Sequence, residues 1–505
     1  MKRIFTIAAV FAMVAALSAP ALAETKFSFK GQYRVRGFML SNTSLQADQA
    51  AAKATGTPGT SSATPAIAEE GEGPSQSWMD MRFRMESKFT VSERLSVVTR
   101  FDALDNKKYG MDDNDTTGGA CPSRNNNIDF DRAYMVIATD FGKFQAGSMA
   151  GGQYGTKFLD TEKERDRVRF DTKMDKWILS LVYEKQKEVD SDDCKGTDVL
   201  SDADYDIYYA AATYKSEGLS GGLLIGYGTD KSKSDILAYV PAANKLGYDS
   251  TLMVFNPYIK AGFGDFGINA EGQILFGKYK EYDRDVYSES VKLADIARKA
   301  AGLGPLADID YDAYAWNMEG TWASGPFTAE VGYVWVKGEE DVNDDKMESL
   351  GGIGNDWGKV FILTNTDSGF EKTLGGHSGA AAAGAAAGNL SSGSTAALNG
   401  CKLFYLGGSY SPLENLKISA LLANSKSESP GYVGYSAGTL KKDSRSFASD
   451  HGSEYDLTID WDIYDNLNYT AILAYLDAGD YWQFGNPYRE LENTWCFWQQ
   501  LKLSF

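Results

Sequence analysis

The sequence predicts an all-β protein: a transmembrane antiparallel up-and-down β-barrel of about eighteen strands, with short periplasmic turns and long extracellular loops. Three observations predict it. Apolar and polar side chains alternate in segment after segment; short turns and long polar loops alternate between these segments; and the chain ends on such a segment, at Phe505. Sixteen strands also fit, because boundaries read from sequence err by ~2–4 residues.

The amino-terminal residues have the pattern of an export signal. Lys2 and Arg3 precede an apolar run that reaches Leu17, and the small residues from Ser18 to Ala23 end in an Ala-x-Ala cleavage site. A positively charged start, a short apolar core and an Ala-x-Ala site are typical of a secretory signal peptide. We expect residues 1–23 to be removed and residues 24–505 to form one barrel. The alternative, a retained membrane anchor, is disfavoured because the run is short for a spanning helix.

The overall charge excludes one class of partner. The formal net charge is −19, and loss of Lys2 and Arg3 gives −19 − 2 = −21. Nucleic-acid binding calls for a basic surface, so we expect no nucleic-acid partner.

Turn-forming residues divide the chain into hairpins. Gly, Pro, Asp, Asn and Ser occur at the positions that tight hairpin turns require. Eight short turns are predicted at 91–94, 140–142, 173–175, 216–218, 262–266, 324–326, 411–415 and 464–466. Nine longer connections lie near 39–77, 104–126, 150–164, 188–203, 230–248, 281–310, 339–400, 427–452 and 478–488. Together these seventeen connections imply about eighteen strands.

Individual strands separate their two faces cleanly. From Tyr455, the residues Leu457, Ile459 and Trp461 share one face, while acidic and threonine residues occupy the other. Strand side chains repeat every two residues, so such a strand has one apolar and one polar face. A soluble β-sandwich would also alternate. The hairpin rhythm over the whole chain and the aromatic residues at strand ends favour a membrane barrel.

The last strand resembles the signal by which outer-membrane barrels are recognised for insertion. Its apolar face is formed by Leu501, Leu503 and Phe505. With the signal peptide and the turn–loop asymmetry, the chain resembles the Gram-negative outer-membrane porins, the trimeric general or substrate-preferring β-barrels. The resemblance implies a water-filled channel for passive diffusion of ions and small hydrophilic solutes. It also implies a homotrimer, contact with outer-membrane lipid and lipopolysaccharide, and folding by the barrel-assembly machinery.

A series of arginines alternates with apolar residues in the first strands. It comprises Arg34, Arg36, Arg82, Arg84, Arg100, Arg165, Arg167 and Arg169. An arginine facing lipid at the bilayer midplane costs roughly 2–4 kcal/mol, so we expect the series to face the lumen. Porins place such arginines opposite acidic residues of an infolded third loop, which here implies Asp160 and Glu162. The alternative is simple pairing with nearby Asp102, Asp166 and Asp171.

Other motifs do not predict catalysis. Residues 262–267 match a dinucleotide-binding glycine pattern but join two strands, so they are expected to form a turn. His377 and His451, the two histidines, fall in predicted loops and no serine partner is marked. The acidic runs lack the glycine and terminal glutamate of a calcium loop. We therefore expect no enzyme activity, no catalytic residue, no metal site and no cofactor.

Two further predictions concern the four cysteines and one of the long loops. Cys121 and Cys194 lie in long outer loops and are a possible disulfide pair, whereas pairing of Cys401 with Cys496 is more doubtful. After Val291 a helical segment is predicted to pack its apolar face on the barrel mouth.

The alternative function is a barrel that sheathes a partner, such as a multihaem cytochrome in transmembrane electron transfer. The chain has no haem-attachment motif of its own, so the haems would be the partner's.

Overall fold

The computed structural model describes most of the chain. It covers residues 25–45, 75–110, 128–188, 204–232, 247–282, 289–300, 304–341, 344–371, 373–375, 388–391, 394, 396–429, 433–436, 439–442, 448–483 and 490–505. In these residues, no helix has the length and apolar character needed to cross a membrane. The predicted signal peptide, His377, Cys121 and Cys194 lie outside the described residues.

Eighteen long strands form the molecule. They are β1 Lys26–Leu40, β2 Gln76–Ser92, β3 Leu95–Lys108, β4 Ile128–Thr139, β5 Gly142–Gly151, β6 Lys163–Met174, β7 Trp177–Lys187, β8 Tyr205–Ser216, β9 Leu219–Asp230, β10 Tyr248–Phe263, β11 Phe266–Tyr282, β12 Ile309–Ser324, β13 Phe327–Val336, β14 Cys401–Leu413, β15 Leu416–Lys426, β16 Asp450–Tyr464, β17 Leu467–Ala478 and β18 Thr494–Ser504. Each strand pairs antiparallel with the next one along the chain. The prediction of an eighteen-stranded antiparallel barrel is confirmed.

The sheet closes on itself. Strand β18 pairs with β1, with Ser504 opposite Gln32 and Cys496 opposite Leu40. The backbone of Phe505 continues this pairing, since its N–H and its C=O both bond to Gly31. A closed sheet has no free edge, so the strands satisfy their backbone groups within lipid.

Eight tight turns connect alternate strand pairs, as predicted. Each has two residues between strands, at 93–94, 140–141, 175–176, 217–218, 264–265, 325–326, 414–415 and 465–466. Gly264 has φ +61°, a left-handed conformation that suits glycine in a tight hairpin turn. The glycine pattern at 262–267 therefore belongs to a hairpin turn between two strands, as predicted.

The two faces of the strands meet different surroundings. On β16, Tyr455 is 50% exposed, whereas the adjacent Asp456 is 8% exposed. Large apolar side chains are exposed in the same way on the outward face of most strands. Because no second sheet among the described residues packs on the outer face of the barrel strands, this exposed apolar band is the surface that meets lipid.

Short elements occupy the longer connections. They are α1 Glu289–Ala300, α2 Phe361–Thr364, the 3₁₀ turns Ala396–Asn399 and Asp480–Gln483, the strand Lys346–Met347 beside β12, and the hairpin Val433–Ser436 with Thr439–Lys442. The apolar face of α1 does not pack on the barrel mouth, so that expectation is wrong. Leu293 and Ile296 are 63% and 64% exposed. Polar residues hold the helix instead, since Asp295 accepts the Leu306 N–H and Arg298 donates to the Gly304 carbonyl.

The main apolar core lies inside the barrel. It is formed by inward residues of β1, β12 to β15, β17 and β18 together with the described residues of the long connection 337–400, which we call the lumen loop. From this loop come the fully buried Val360, Ile362 and Leu363 and the nearly buried Phe361. Burial of these side chains holds the loop within one side of the lumen.

Candidate solute pathway

Arg36 and Arg84, in the first two strands, line the inner wall and are paired with acids. Arg36 donates Nε and Nη2 to the two oxygens of Asp80, both at 2.8 Å. Arg84 binds the two oxygens of Asp102 in the same forked manner, at 2.6 Å each. This planar geometry is the strongest form of an arginine–carboxylate pair. Arg36 and Arg84 are therefore held in ion pairs, as the pairing alternative expected for Asp102.

Strand β3 connects this wall to the third loop, residues 152–162. Arg100 binds Asp131 at 3.0 Å and Glu164 at 2.5 Å. Glu162 accepts from Arg132 at 2.7 Å. Burial alone would raise the pKa of Glu162, but the hydrogen bond from Arg132 and the arginine charges together lower it below its usual range. Glu162 thus belongs to the arginine wall and does not face it, which differs from the arrangement inferred by resemblance.

The arginines of β6 are also paired. Arg167 donates Nε to Glu184, and Arg165 lies 3.5 Å from the same carboxylate. Arg169 donates to both oxygens of Asp171 at 2.9 Å. Asp171 is therefore a partner, as the pairing alternative expected. Asp166 lies between Arg165 and Arg167 in sequence, so its side chain takes the other face of the strand.

The third loop crosses the lumen. Thr156 donates its N–H to Glu271 on the far wall at 2.7 Å, and its hydroxyl bonds to the same carboxylate. Tyr154 packs edge-on against Tyr258, with ring centroids 5.2 Å apart. Asp160 accepts the Tyr154 N–H at 2.9 Å. Burial, together with the charges of Glu271 and Asp356, raises the pKa of Asp160 to about 7.

The lumen loop is fixed to several parts of the wall. Its Lys359 lies 2.8 Å from Glu319 on β12 and 2.6 Å from Glu330 on β13. The backbone N–H groups of α2 donate to acids of β16, with Leu363 to Glu454 at 2.9 Å and Phe361 to Asp456 at 3.0 Å. These acids satisfy amide donors that the start of a helix leaves unpaired.

The same loop also contacts the remaining wall and the third loop. Asp367 accepts a hydrogen bond from Arg36 on β1 at 2.6 Å. The Gly354 N–H donates to the Phe158 carbonyl at 2.9 Å, and Trp357 packs edge-on against Phe158. The described residues of the two loops therefore form one block, which fills part of the cross-section.

A cavity of about 350 Å³ lies between the third loop and the wall of β6 to β11. Its lining includes Tyr154, Asp160, Arg167, Tyr209, Lys215 and Tyr258. A second space of about 240 Å³ lies beside Lys359, Glu330, Asp456 and Asp460. Both combine charged groups with apolar wall, as a solute passage requires.

Several of these residues were not singled out from the sequence. Arg132 continues the alternating series and could have been added from its pattern alone. The lumen loop carries a signal too: Trp357 and the run from Val360 to Leu363 are unusually apolar for a loop exposed to water. Glu184 and Asp367 have no local signal, because their partners are distant in sequence or on a neighbouring strand.

His451 requires a correction. It lies in β16, not in a loop, and its Nδ1 is 2.9 Å from the Ser425 hydroxyl. Both side chains are fully buried, and His451 Nε2 has no hydrogen-bond partner among the described residues. Tyr481 and Trp482 pack on its ring. Because both side chains are buried, this pair stabilises the wall and does not present an accessible nucleophile.

The structure includes the carboxyl-terminal strand and two of the four cysteines, Cys401 and Cys496. Leu501, Leu503 and Phe505 are all exposed on the outward face. Cys401 and Cys496 are buried and are not bonded to each other.

A family model described as Gram-negative porin matches residues 8–356, well over half of the chain. The chain belongs to the Gram-negative porin family. It is therefore an outer-membrane channel for small solutes, and this family and its fold are those of channels and not of enzymes. No curated protein sequence matches the chain.

Several solved outer-membrane protein structures resemble the chain at low sequence identity. OccK9 (OpdG) of Pseudomonas aeruginosa is 12% identical, with TM-score 0.47, over 95% of this chain and 98% of that one. The BenF-like porin of Pseudomonas fluorescens is 10% identical, with TM-score 0.45, over 95% and 99%. OmpT of Vibrio cholerae, in a trimer form, is 10% identical, with TM-score 0.41, over 96% and 100%. The family assignment rests on the family match and not on these likenesses.

Proposed function

We propose that ions and small hydrophilic solutes cross this porin through the space between the third loop and the wall of β6 to β11. The observation that carries the proposal is the cavity of about 350 Å³ there, lined by polar and charged side chains. On the opposite side, the described residues of the lumen loop pack against the wall and leave a smaller space of about 240 Å³. Solutes would therefore meet Arg167, Lys215 and Asp160 and would pass the tyrosines at 154, 209 and 258.

The pairing of the arginines supports a modest ion preference. Arg167 and Arg169 each have a carboxylate within hydrogen-bond distance, so little net positive charge faces the cavity. Selectivity in a wide pore follows the net charge of its narrowest part. We propose that the constriction includes Arg34, Arg36, Arg82, Arg84, Arg100, Arg165, Arg167, Arg169, Asp160 and Glu162, with most of the arginines in ion pairs and Arg34 bound to the neutral amide of Asn106.

Cysteine accessibility in planar bilayers tests this route. Thr213 borders the cavity, whereas Ala212, the next residue along β8, borders an apolar outer groove. A bulky methanethiosulfonate reagent should reduce the single-channel conductance of Thr213→Cys by at least half. The same reagent should leave the conductance of Ala212→Cys unchanged. It should also leave the conductance of the wild type, which has its four native cysteines, unchanged. Full conductance of the labelled Thr213→Cys protein would place the route elsewhere.

We also propose the assembly that the family resemblance implies. A signal peptide of residues 1–23 would be cleaved before the barrel-assembly machinery recognises Leu501, Leu503 and Phe505. The protein would then form a homotrimer in contact with lipid and lipopolysaccharide, without enzyme activity. Mass spectrometry of the mature protein and native-gel mass of the detergent-extracted barrel test these points.

The cytochrome-sheath alternative has no support. The lumen loop packs Phe361 against Trp498 of β18, with ring centroids 5.7 Å apart, where a sheathed partner would have to lie.

A further inference from the structure

Two acids lie side by side beneath the lumen loop, on the inner face of β16. Glu454 is fully buried, and Asp456, two residues further along the strand, is 8% exposed. Every residue opposite them in the strand register is aliphatic: Leu421, Ala423, Ala474 and Leu476. An ionised carboxyl in such surroundings is costly unless a cation or hydrogen-bond donors accompany it.

The surroundings supply no cation to this pair. Among the described residues, no basic side chain forms an ion pair with either acid. The titratable group that faces the pair from β18 is the buried thiol of Cys496, which has no positive charge. Asp456 also borders the space of about 240 Å³, whose other charged groups are Glu330, Lys359, Lys417 and Asp460. Lys359 is bound by Glu319 and Glu330, and Lys417 lies opposite Asp460 in the strand register.

The lumen loop supplies three donors for the four oxygens of the pair. Glu454 accepts the N–H groups of Ile362 and Leu363 at 2.5 and 2.9 Å, and Asp456 Oδ2 accepts the Phe361 N–H at 3.0 Å. Asp456 Oδ1 is buried and has no hydrogen-bond partner among the described residues. The two carboxyl groups are close enough to hydrogen-bond to each other. A single proton held between them would supply the missing donor.

We propose that Glu454 and Asp456 share one proton while the lumen loop is docked, so that docking of the loop depends on pH. Two neighbouring carboxyls out of water do not both ionise, and one proton between them removes their repulsion. When the loop undocks, water reaches both acids, and each then ionises in its ordinary range near about pH 4. The docked state therefore binds about one more proton than the undocked state.

Docking should weaken as the pH rises. The state that binds more protons is favoured at low pH, so the ratio of undocked to docked loop should rise by up to about tenfold per pH unit above about pH 5. The rise ends where the docked pair itself loses the shared proton.

Hydrogen–deuterium exchange of the peptide that contains Phe361, Ile362 and Leu363 tests the pair directly, because these amides donate to it. Glu454→Gln replaces the shared proton with an amide N–H, which can donate to Asp456 at every pH. Exchange is measured for both purified barrels in the same detergent at about pH 6, 7 and 8. Division of the wild-type rate by the variant rate at each pH cancels the pH dependence of the exchange chemistry. This ratio should rise by up to about tenfold per pH unit.

Two further variants complete the test. Asp456→Asn removes the other carboxyl and keeps a donor between the side chains, so it replaces Glu454→Gln as the reference if the glutamine variant does not fold. Asp460→Asn is the matched control, because Asp460 lies on the same inner face but is exposed and bonded to Asn468 at 2.6 Å. Its exchange should depend on pH as in the wild type. An exchange ratio that stays constant with pH, or an equal loss of the pH dependence in Asp460→Asn, would overturn the proposal.

The proposal does not rest on the solute route beside β6 to β11, and the two fail separately. Exchange needs no conduction, so it tests the shared proton even if the labelled Thr213→Cys channel places the route elsewhere. In planar bilayers, the fraction of time in a higher-conductance state should rise with pH in the wild type and stay constant in Glu454→Gln. A channel that follows the proposed route but shows a constant exchange ratio would keep the route and refute the shared proton.

Discussion

Lys359 should determine how firmly the lumen loop stays docked, and Lys359→Gln tests this. The ammonium group lies between Glu319 and Glu330, at 2.8 and 2.6 Å, and its side chain is 26% exposed. The glutamine variant keeps most of the length but removes the charge that both carboxylates share. Glu319 retains the hydroxyl of Tyr405 at 2.7 Å, so the wall itself keeps part of its network.

The expected cost follows from the burial of the pair. Breaking a fully buried ion pair costs roughly 3–5 kcal/mol. Partial exposure screens this interaction, so about 2 kcal/mol is the appropriate estimate for Lys359. Since about 1.4 kcal/mol is a factor of ten, the ratio of undocked to docked loop should rise about 30-fold.

Single-channel recording measures that ratio. Undocking opens lumen that the loop fills, so the fraction of time in a higher-conductance state should rise about 30-fold in Lys359→Gln. Lys402→Gln is the matched control, because Lys402 lies 3.5 Å from Glu428 and 42% of its side chain is exposed. An exposed pair contributes about 0–1 kcal/mol, so this variant should behave almost as wild type. If folded Lys359→Gln barrels spend the same fraction of time in the higher-conductance state as the wild type, Lys359 does not anchor the lumen loop.

Three further predictions follow from other contacts. Burial raises the pKa of Asp160 to about 7, so the third-loop conformation is more stable when the Asp160 carboxyl is neutral. This contribution to the stability of the loop is lost as the carboxyl ionises, when the pH rises through 7. The reversal potential should therefore shift towards cation preference between about pH 6 and 8 in wild type, and should stay constant in Asp160→Asn. Phe505→Ala should reduce the yield of heat-modifiable, folded barrel on gels, because its ring contacts those of Phe29 and Phe83. Ser425→Ala should lower the free energy of unfolding in urea by about 1–2 kcal/mol with conductance unchanged, since buried His451 loses its partner.

The barrel could be predicted because its signals are local. Alternation such as Tyr455–Ile459 depends on neighbours two residues apart, and turns such as 264–265 depend on a few residues. The inward direction of Arg34 and Arg167 follows equally from the cost of placing a charge in lipid. These features do not depend on contacts with distant parts of the chain.

The interior could not be predicted in the same way. Glu162 pairs with Arg132 on its own side of the lumen because the third loop returns along the wall before β6. Asp367 meets Arg36 across 331 positions of sequence, and no local pattern marks such a pair. His451 was assigned to a loop because the strand boundary after the eighth long connection falls earlier than the turn residues indicated.

The sequence by itself determined the lipid-facing surface, the hairpin order and the family, since these depend on period-two patterning and on motifs read along the chain. Only the tertiary structure decided which part of the lumen is open. Closure of the barrel brings residues hundreds of positions apart within ion-pair distance, and burial then selects which of them pack together. The solute route is therefore a property of contacts across the lumen, where Lys359, Asp367 and Thr156 meet walls that the chain reaches only after it has folded.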